Sequence, residues 1–412
     1  MEPITERCAG VDVGQATVVA CILLGEGHKK PRKEVRTFRT LTKELLEMRD
    51  WFLSEGVTHV GMESTGIYWK PVYAILEADF EIIVGNARHM KNVPGRKTDV
   101  KDAEWIADLV RHGLVAKSFV PPPPIRILRD LLRYRRKLVE SRTSERNRLL
   151  KLLETANIKL SSVASDVFGV SGMLMLRALL EGTSTPQEIA RLAKGRLREK
   201  APDLELALDG RMDFDHRFLL GLQLQRLGQV DSDLARIDAR IGERLKPYQE
   251  QLTRLRQIPG VEHILAATLI AELGVDMSVF HSAKHLAAWA GVCPGNNESA
   301  GTKKNSPARK GNIHLKTALY DAAKAASNKK GSYLKDKFHR LKARRGYNRA
   351  AIAVGHKILT AAYHMLSKGV DYKELGEAYL DQLDKTQVAG NLVRRLQRLG
   401  YEVTISEASR VA

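Results

Sequence analysis

The sequence predicts two fold classes in one chain, an α/β domain at the N-terminus and an all-α remainder. Three observations predict this division. Short apolar runs alternate with helical patterns over the first 118 or so residues. Four consecutive prolines, Pro121 to Pro124, then interrupt every periodicity. Beyond them the apolar spacing is almost wholly helical.

Within the first segment, strands are expected near 8–14, 16–24, 34–39, 57–63 and 81–85, and helices near 41–54, 67–78 and 100–112. Three strands followed by helix, strand, helix, strand, helix is the order of a ribonuclease-H-like domain. The prolines lack backbone N–H groups and favour extended backbone, so a stiff polyproline spacer is expected at 121–124. From Ile125 to about Leu160 the chain reads as one basic helix. A second long helix is expected over about 213–255. There Leu220, Leu227, Leu234 and Ile241 recur every seven residues, with Val230 and Ile237 interleaved, a coiled-coil stripe. Its partner is either the first long helix or a second subunit. Residues 161–212 read as shorter helices. Ile258-Pro259-Gly260-Val261, leading into Ile264–Leu273, is either a plain turn or a helix-hairpin-helix element that holds phosphates through backbone amides. Helices follow near 283–290, 313–327, 331–344 and 347–367, and a last helix and strand within 385–412. The domains are therefore set at 1–120, 121–255, 256–370 and a tail, 371–412.

Composition bounds the partners. The 412 residues are 43% hydrophobic, ordinary for a globular chain, but the net charge is +19. Residues 301–346 alone carry 14 Lys and Arg against Asp321 and Asp336, a net +12. So lopsided a stretch points to a nucleic-acid partner. Cys8, Cys21 and Cys293 show no metal-binding spacing, and the first two are expected to be core thiols. With no signal peptide and no apolar run of about 18 residues, the expected setting is a reducing cytoplasm, nucleoid-associated and away from membranes.

Four acids carry the chemistry. Asp12 interrupts the apolar run from Cys8 to Val13, and Glu63 closes a strand-like run from Val57. Asp99 and Asp102 share a face at a helix start. Converging carboxylates cannot all stay ionised without cations, and oxygen-only ligands suit Mg²⁺ or Mn²⁺. The expectation is a metal site of the kind that cuts phosphodiesters. Read singly, Asp99 and Asp102 would be an ordinary cap and first-turn acid. Asp12 in Val11-Asp12-Val13-Gly14 also fits the phosphate loop of actin-like ATPases, but no second phosphate loop is evident. A second candidate centre is Ser299, a single hydroxyl among small residues in the run from Gly291 to Gly301, followed by Lys303, Lys304, Arg309 and Lys310. Arg96, Lys97 and Lys101 flank the last two acids and are candidate backbone-phosphate contacts. Tyr68 and Trp69 are expected to pack the domain core rather than stack on a base.

The runs "GVDVG", "GMESTGIYWKPV", "PGRKTDVKDAEWIADLVRHGLV" and "GVCPGNNESAGTKKNSPARKGNIHL" resemble the IS110 insertion-sequence transposases, whose relatives include the Piv-type DNA invertases. The resemblance covers at least 8–120 and 255–365. It implies a RuvC-like domain with a DEDD tetrad on Asp12, Glu63, Asp99 and Asp102. It further implies a coiled-coil insertion and a mostly helical C-terminal transposase domain whose nucleophilic serine falls on Ser299. Expected partners are donor and target DNA, a noncoding bridge RNA, and further copies of the chain as a dimer or a tetramer (a dimer of dimers). The rival expectations are a Holliday-junction resolvase-like nuclease, which would use water in place of Ser299, and a site-specific invertase.

Overall fold

The computed structural model describes residues 3–25, 27, 30–64, 66–86, 90, 102–293, 298–299, 302–303 and 311–406, with backbone alone at 298–299 and 302–303. The chain divides into two compact units, Met1–Val120 and Pro121–Ala412.

In the first unit, β1 (Arg7–Val13), β2 (Thr17–Leu24) and β3 (Arg32–Arg39) form an antiparallel meander. Helix α1 (Thr42–Ser54), β4 (His59–Glu63), α2 (Trp69–Leu76), β5 (Glu81–Gly85) and α3 (Asp102–Arg111) follow. The sheet order is β3-β2-β1-β4-β5, with β4 parallel to β1 and β5 parallel to β4. This mixed five-stranded sheet is consistent with a ribonuclease-H-like domain. Strand alternation divides its residues between two faces. Val11, Val60 and Met62 pack with Leu45, Met48 and Phe52 of α1 and Val72 and Leu76 of α2. Cys8 and Cys21 turn to the other face, against Ala103, Ala107 and Val110 of α3. Both thiols are fully buried, as expected. Burial pushes Cys8 to about 12 and Cys21 to about 11, so neither is a nucleophile at neutral pH. Trp69 packs edge-on against Tyr73 beside the core. Tyr68, by contrast, is 42% exposed and does not pack there.

Among its described residues the second unit is helical but for two short strands. Its first helix, α4 (Pro123–Thr155), starts inside the proline run. The polyproline expectation is therefore corrected by half: Pro122 is extended, but Pro123 and Pro124 form the first turn, where a missing N–H costs no hydrogen bond. Helices α5 (Leu160–Val163), α6 (Val170–Glu181), α7 (Pro186–Ala190) and α8 (Ala201–Leu208) then enclose their own apolar cluster around Leu176 and Leu204. The second long helix, α9 (Phe214–Leu245), stops short of 255, because Pro247 forces a short 3₁₀ turn before α10 (Gln249–Leu255).

The α9 stripe is buried at Leu220, Leu227, Leu234 and Ile241. Its partner is α4 of the same chain. Arg135 pairs with Asp238 at 2.5 Å, Arg142 with Asp231 at 3.4 Å and Glu145 with Arg226 at 3.3 Å, so the helices run antiparallel.

Helices α11 (His263–Leu273), α12 (Ala283–Trp289), α13 (Ile313–Ala326), α14 (Tyr333–Arg345) and α15 (Tyr347–Lys368) complete the main body. The Pro259-Gly260 turn is a packing element: Ile258 and Val261 are 1% exposed, and Gly260, at φ +85°, lies against the backbone of Ala322 and Ala326. This favours the plain-turn reading over helix-hairpin-helix. The tail forms α16 (Tyr379–Leu383) and α17 (Lys385–Arg398), and no strand follows among its described residues. No described helix is long and apolar enough to cross a membrane.

Candidate active site

Asp12 and Glu63 sit at the C-terminal ends of adjacent parallel strands. The pairing of β1 with β4 runs through Val11 and Met62, so one further step sets Asp12 beside Glu63. Their neighbours Val11 and Met62 face α1 and α2, so alternation turns both acids toward α3.

Two glycines bring α3 onto this face. A Cβ on Gly10 would lie 2.2 Å from Ala103 O and from Ala107 N, and one on Gly61 would lie 2.3 Å from Val110 Cγ2. The Cys8 thiol donates to Ala107 O at 3.5 Å. Cys8 thus lies under Ala107 and Gly10 between Ala107 and Ala103, so α3 runs antiparallel to β1. Its first residue, Asp102, therefore arrives over Asp12.

The electrostatics agree. Burial, and then the charge of Asp102, raises the Asp12 carboxyl above its ordinary range. Among the described residues, no Lys or Arg side chain forms an ion pair with Asp12 or Glu63. Nor, among them, do three His, Cys, Asp or Glu side chains group closely enough to hold a metal ion. Asp99, Arg96, Lys97 and Lys101 lie outside the described residues. The donor set nonetheless fits a hard divalent cation, being oxygen-only and negatively charged.

Ser299 belongs to the second unit. Strands β6 (Glu298–Ser299) and β7 (Thr302–Lys303) form a two-residue antiparallel ladder, with Ser299 opposite Thr302 across residues 300–301. Ser299 is thus the last residue of β6, and Lys303, on β7, pairs with Glu298. Lys304, Arg309 and Lys310 lie outside the described residues.

Sequence reasoning missed one cluster. Glu272, 1% exposed, is bound by Arg133 and Asn312. The signal was present, since Glu272 is the one acid in the apolar helix His263–Leu273.

An α/β unit with carboxylates at its strand ends, joined to a basic helical unit, suits an enzyme with a nucleic-acid partner, and comparison with known proteins identifies a transposase family. A family model described as "Transposase" matches residues 9–158, and one described as "Transposase IS116/IS110/IS902 family" matches residues 252–339, together more than half of the chain. The chain belongs to the IS110 family of transposases.

The chain is 24% identical over 298 residues to the transposase for insertion sequence element IS1111A of Coxiella burnetii, covering 69% of this chain and 71% of the relative. It is 27% identical over 304 residues to the insertion element IS110 uncharacterized 43.6 kDa protein of Streptomyces coelicolor, covering 68% and 73%. A third relative, the insertion element IS900 uncharacterized 42 kDa protein of Mycobacterium paratuberculosis, is 25% identical over 247 residues, covering 52% of this chain and 60% of the relative.

Proposed function

We propose that the chain cuts and rejoins DNA through a phosphoserine intermediate. The four-domain division set out above is part of this reading, with the acids at 1–120 and the serine at 256–370. The observation that carries it is the meeting of Asp12, Glu63 and the N-terminus of α3 on one sheet face, in a member of a transposase family. Asp12, Glu63, Asp99 and Asp102 would hold Mg²⁺ or Mn²⁺, which supplies positive charge to the scissile phosphate and its oxygens when bound.

Ser299 Oγ attacks phosphorus and loses its proton. The bond from phosphorus to the bridging oxygen breaks, and that oxygen leaves as a hydroxyl. The phosphodiester energy is retained in the serine ester, so a second strand's hydroxyl can reverse the step without a nucleotide cofactor. Arg96, Lys97, Lys101, Lys303, Lys304, Arg309 and Lys310 would neutralise strand phosphates, which predicts steep salt dependence. A bridge RNA pairing with donor and target DNA, and assembly as a dimer or tetramer, complete the proposal.

The test uses Mg²⁺, end-labelled flanking DNA and RNA transcribed from the adjacent noncoding segment. Protein-linked strands that vanish in Ser299→Ala and in Asp12→Ala are expected. Free cleaved ends persisting in Ser299→Ala would make the enzyme a hydrolytic nuclease instead.

A further inference from the structure

Within the second unit, a set of charge contacts meets at the buried carboxylate of Glu272. It occupies the last turn of α11, where the helix dipole disfavours a negative charge. Arg133 of α4 donates from Nε to Oε1 and from NH2 to Oε2, both at 2.8 Å. Arg129, one turn earlier, donates to the main-chain carbonyls of Ala271 and Glu272 at 3.0 Å and lies 3.4 Å from Oε2. Asn312 Nδ2 donates to Oε2 at 2.7 Å. Burial alone would push the carboxyl up. The Arg133 hydrogen bonds and the two guanidinium charges outweigh that and hold it below its ordinary range, so it is ionised at neutral pH.

Asn312 has a second role. Its Oδ1 accepts from the amides of His314 at 3.0 Å and Leu315 at 3.2 Å, capping α13. Gly311, just before it, packs on the end of α12: a Cβ there would lie 2.5 Å from Ala290 C and Gly291 N. The two ends of the segment 291–311 therefore touch, and Glu272 holds one of them.

Stability alone gives little reason for this arrangement. A buried ion pair is often no more stable than apolar residues of the same volume, because its charges must be stripped of water. What a carboxylate offers over leucine is direction, since its hydrogen bonds admit one placement of Arg133 and Asn312.

We infer that Glu272 is a positioning residue for strand transfer: bound by Arg129 and Arg133, it fixes Asn312, the residue at which the stretch of chain carrying Ser299 enters α13. The inference rests on the reading of Ser299 as nucleophile. It extends the reactive machinery to α4 and α11, which carry none of the tetrad or the serine.

The experiment compares Glu272→Gln, Asn312→Ser and Ser299→Ala with wild type, using end-labelled duplex from the DNA flanking the coding sequence, RNA transcribed from that flank, and Mg²⁺. Glutamine keeps the shape but offers one acceptor oxygen to the donors that now share two. Serine at 312 keeps an N-cap oxygen but loses the amide that Glu272 holds. Both variants are expected to bind the duplex as wild type does in a salt-matched gel shift. The rate of protein–DNA adduct formation falls by about 10- to 100-fold, the scale of a displaced reactive group. Amide exchange at His314 and Leu315 is expected to quicken in Glu272→Gln. A wild-type adduct rate in either folded variant would overturn the inference; if Glu272→Gln does not fold, Asn312→Ser decides. Adducts that persist in Ser299→Ala overturn the nucleophile reading instead, a separate outcome.

Discussion

Gly10→Ala tests the geometry that assembles the acidic end of the sheet. The added methyl would sit 2.2 Å from Ala103 O and 2.2 Å from Ala107 N, both backbone atoms of α3. Backbone cannot rotate aside as a side chain can, so the helix must retreat by about 1 Å to restore ordinary contact. Overpacking of this kind costs about 1–3 kcal/mol. The same retreat draws Asp102 off Asp12, and a misplacement of about 1 Å at a reacting centre can cost about 100-fold in rate. Gly61→Ala is the matched control. Its methyl would meet Val110 Cγ2 at 2.3 Å and Ile106 Cγ2 at 3.0 Å, side-chain atoms farther along the helix from Asp102. Urea unfolding followed by tryptophan fluorescence reads the first unit, since Trp51, Trp69 and Trp105 lie there and Trp289 alone lies in the second. Adduct formation with Mg²⁺ reads the site. Gly10→Ala should lose far more activity than Gly61→Ala at comparable loss of stability. Equal activity in the two, with Gly10→Ala destabilised as stated, would refute the claim that α3 brings Asp102 to Asp12.

Three further outcomes follow from the same structure. The raised Asp12 carboxyl means that the folded state takes up a proton there more readily than the unfolded chain, so its ionisation costs stability as pH rises through the folded value. Asp12→Asn should therefore raise the melting temperature in chelator; on the proposed metal reading, Mg²⁺ should raise it further in wild type and not in Asp12→Asn, both read by calorimetry. Glu272 has the opposite sign: its carboxyl is lowered, so its contribution is present above the ordinary glutamate value of about 4.3 and is lost as pH falls through the folded value. Glu272→Gln should flatten that part of the second unit's acid unfolding profile. Leu227→Ala, at a position 3% exposed in the α4–α9 hairpin, should cost about 2–5 kcal/mol in the far-ultraviolet helical signal, whereas Arg142→Ala, which breaks a partly exposed pair with Asp231, should cost under about 1 kcal/mol.

Local pattern carried the reading where the physics is local. The apolar runs of Cys8–Val13 and of β2 fall on observed strands, and Asp12 stands out because an acid interrupts the first of them. The heptad stripe of α9 announced a buried face but could not name what buries it, since Leu220, Leu227 and Leu234 would look the same against α4 or against another chain. The proline run misled for a chemical reason: a missing N–H excludes proline from a helix interior but suits it to the first turn, and Pro123 takes the second option. Glu272 was passed over because its partners are remote. Arg133 lies 139 positions away and Asn312 lies 40 away, distances no periodicity spans. Likewise the role of Gly10 is set by the helix that crosses it, not by its own strand.

The buried or half-buried acids of this chain are resolved in two ways, and the contrast bears on function. Glu272 is compensated by the fold itself, with two guanidiniums and an amide filling its acceptor sites, so nothing remains for a ligand to supply. Asp12 has the reverse environment: it is desolvated, faces the charge of Asp102, and forms no ion pair with a described Lys or Arg. A fold that needed only stability would place an apolar residue there, as it does at the neighbouring Val11 and Val13. The retained negative charge is a deficit that a divalent cation would fill. Charge left uncompensated marks where chemistry is expected, and charge fully compensated marks what holds a neighbouring segment in place. On that distinction the proposed mechanism places Asp12 in the reacting centre, and the further inference places Glu272 in its support.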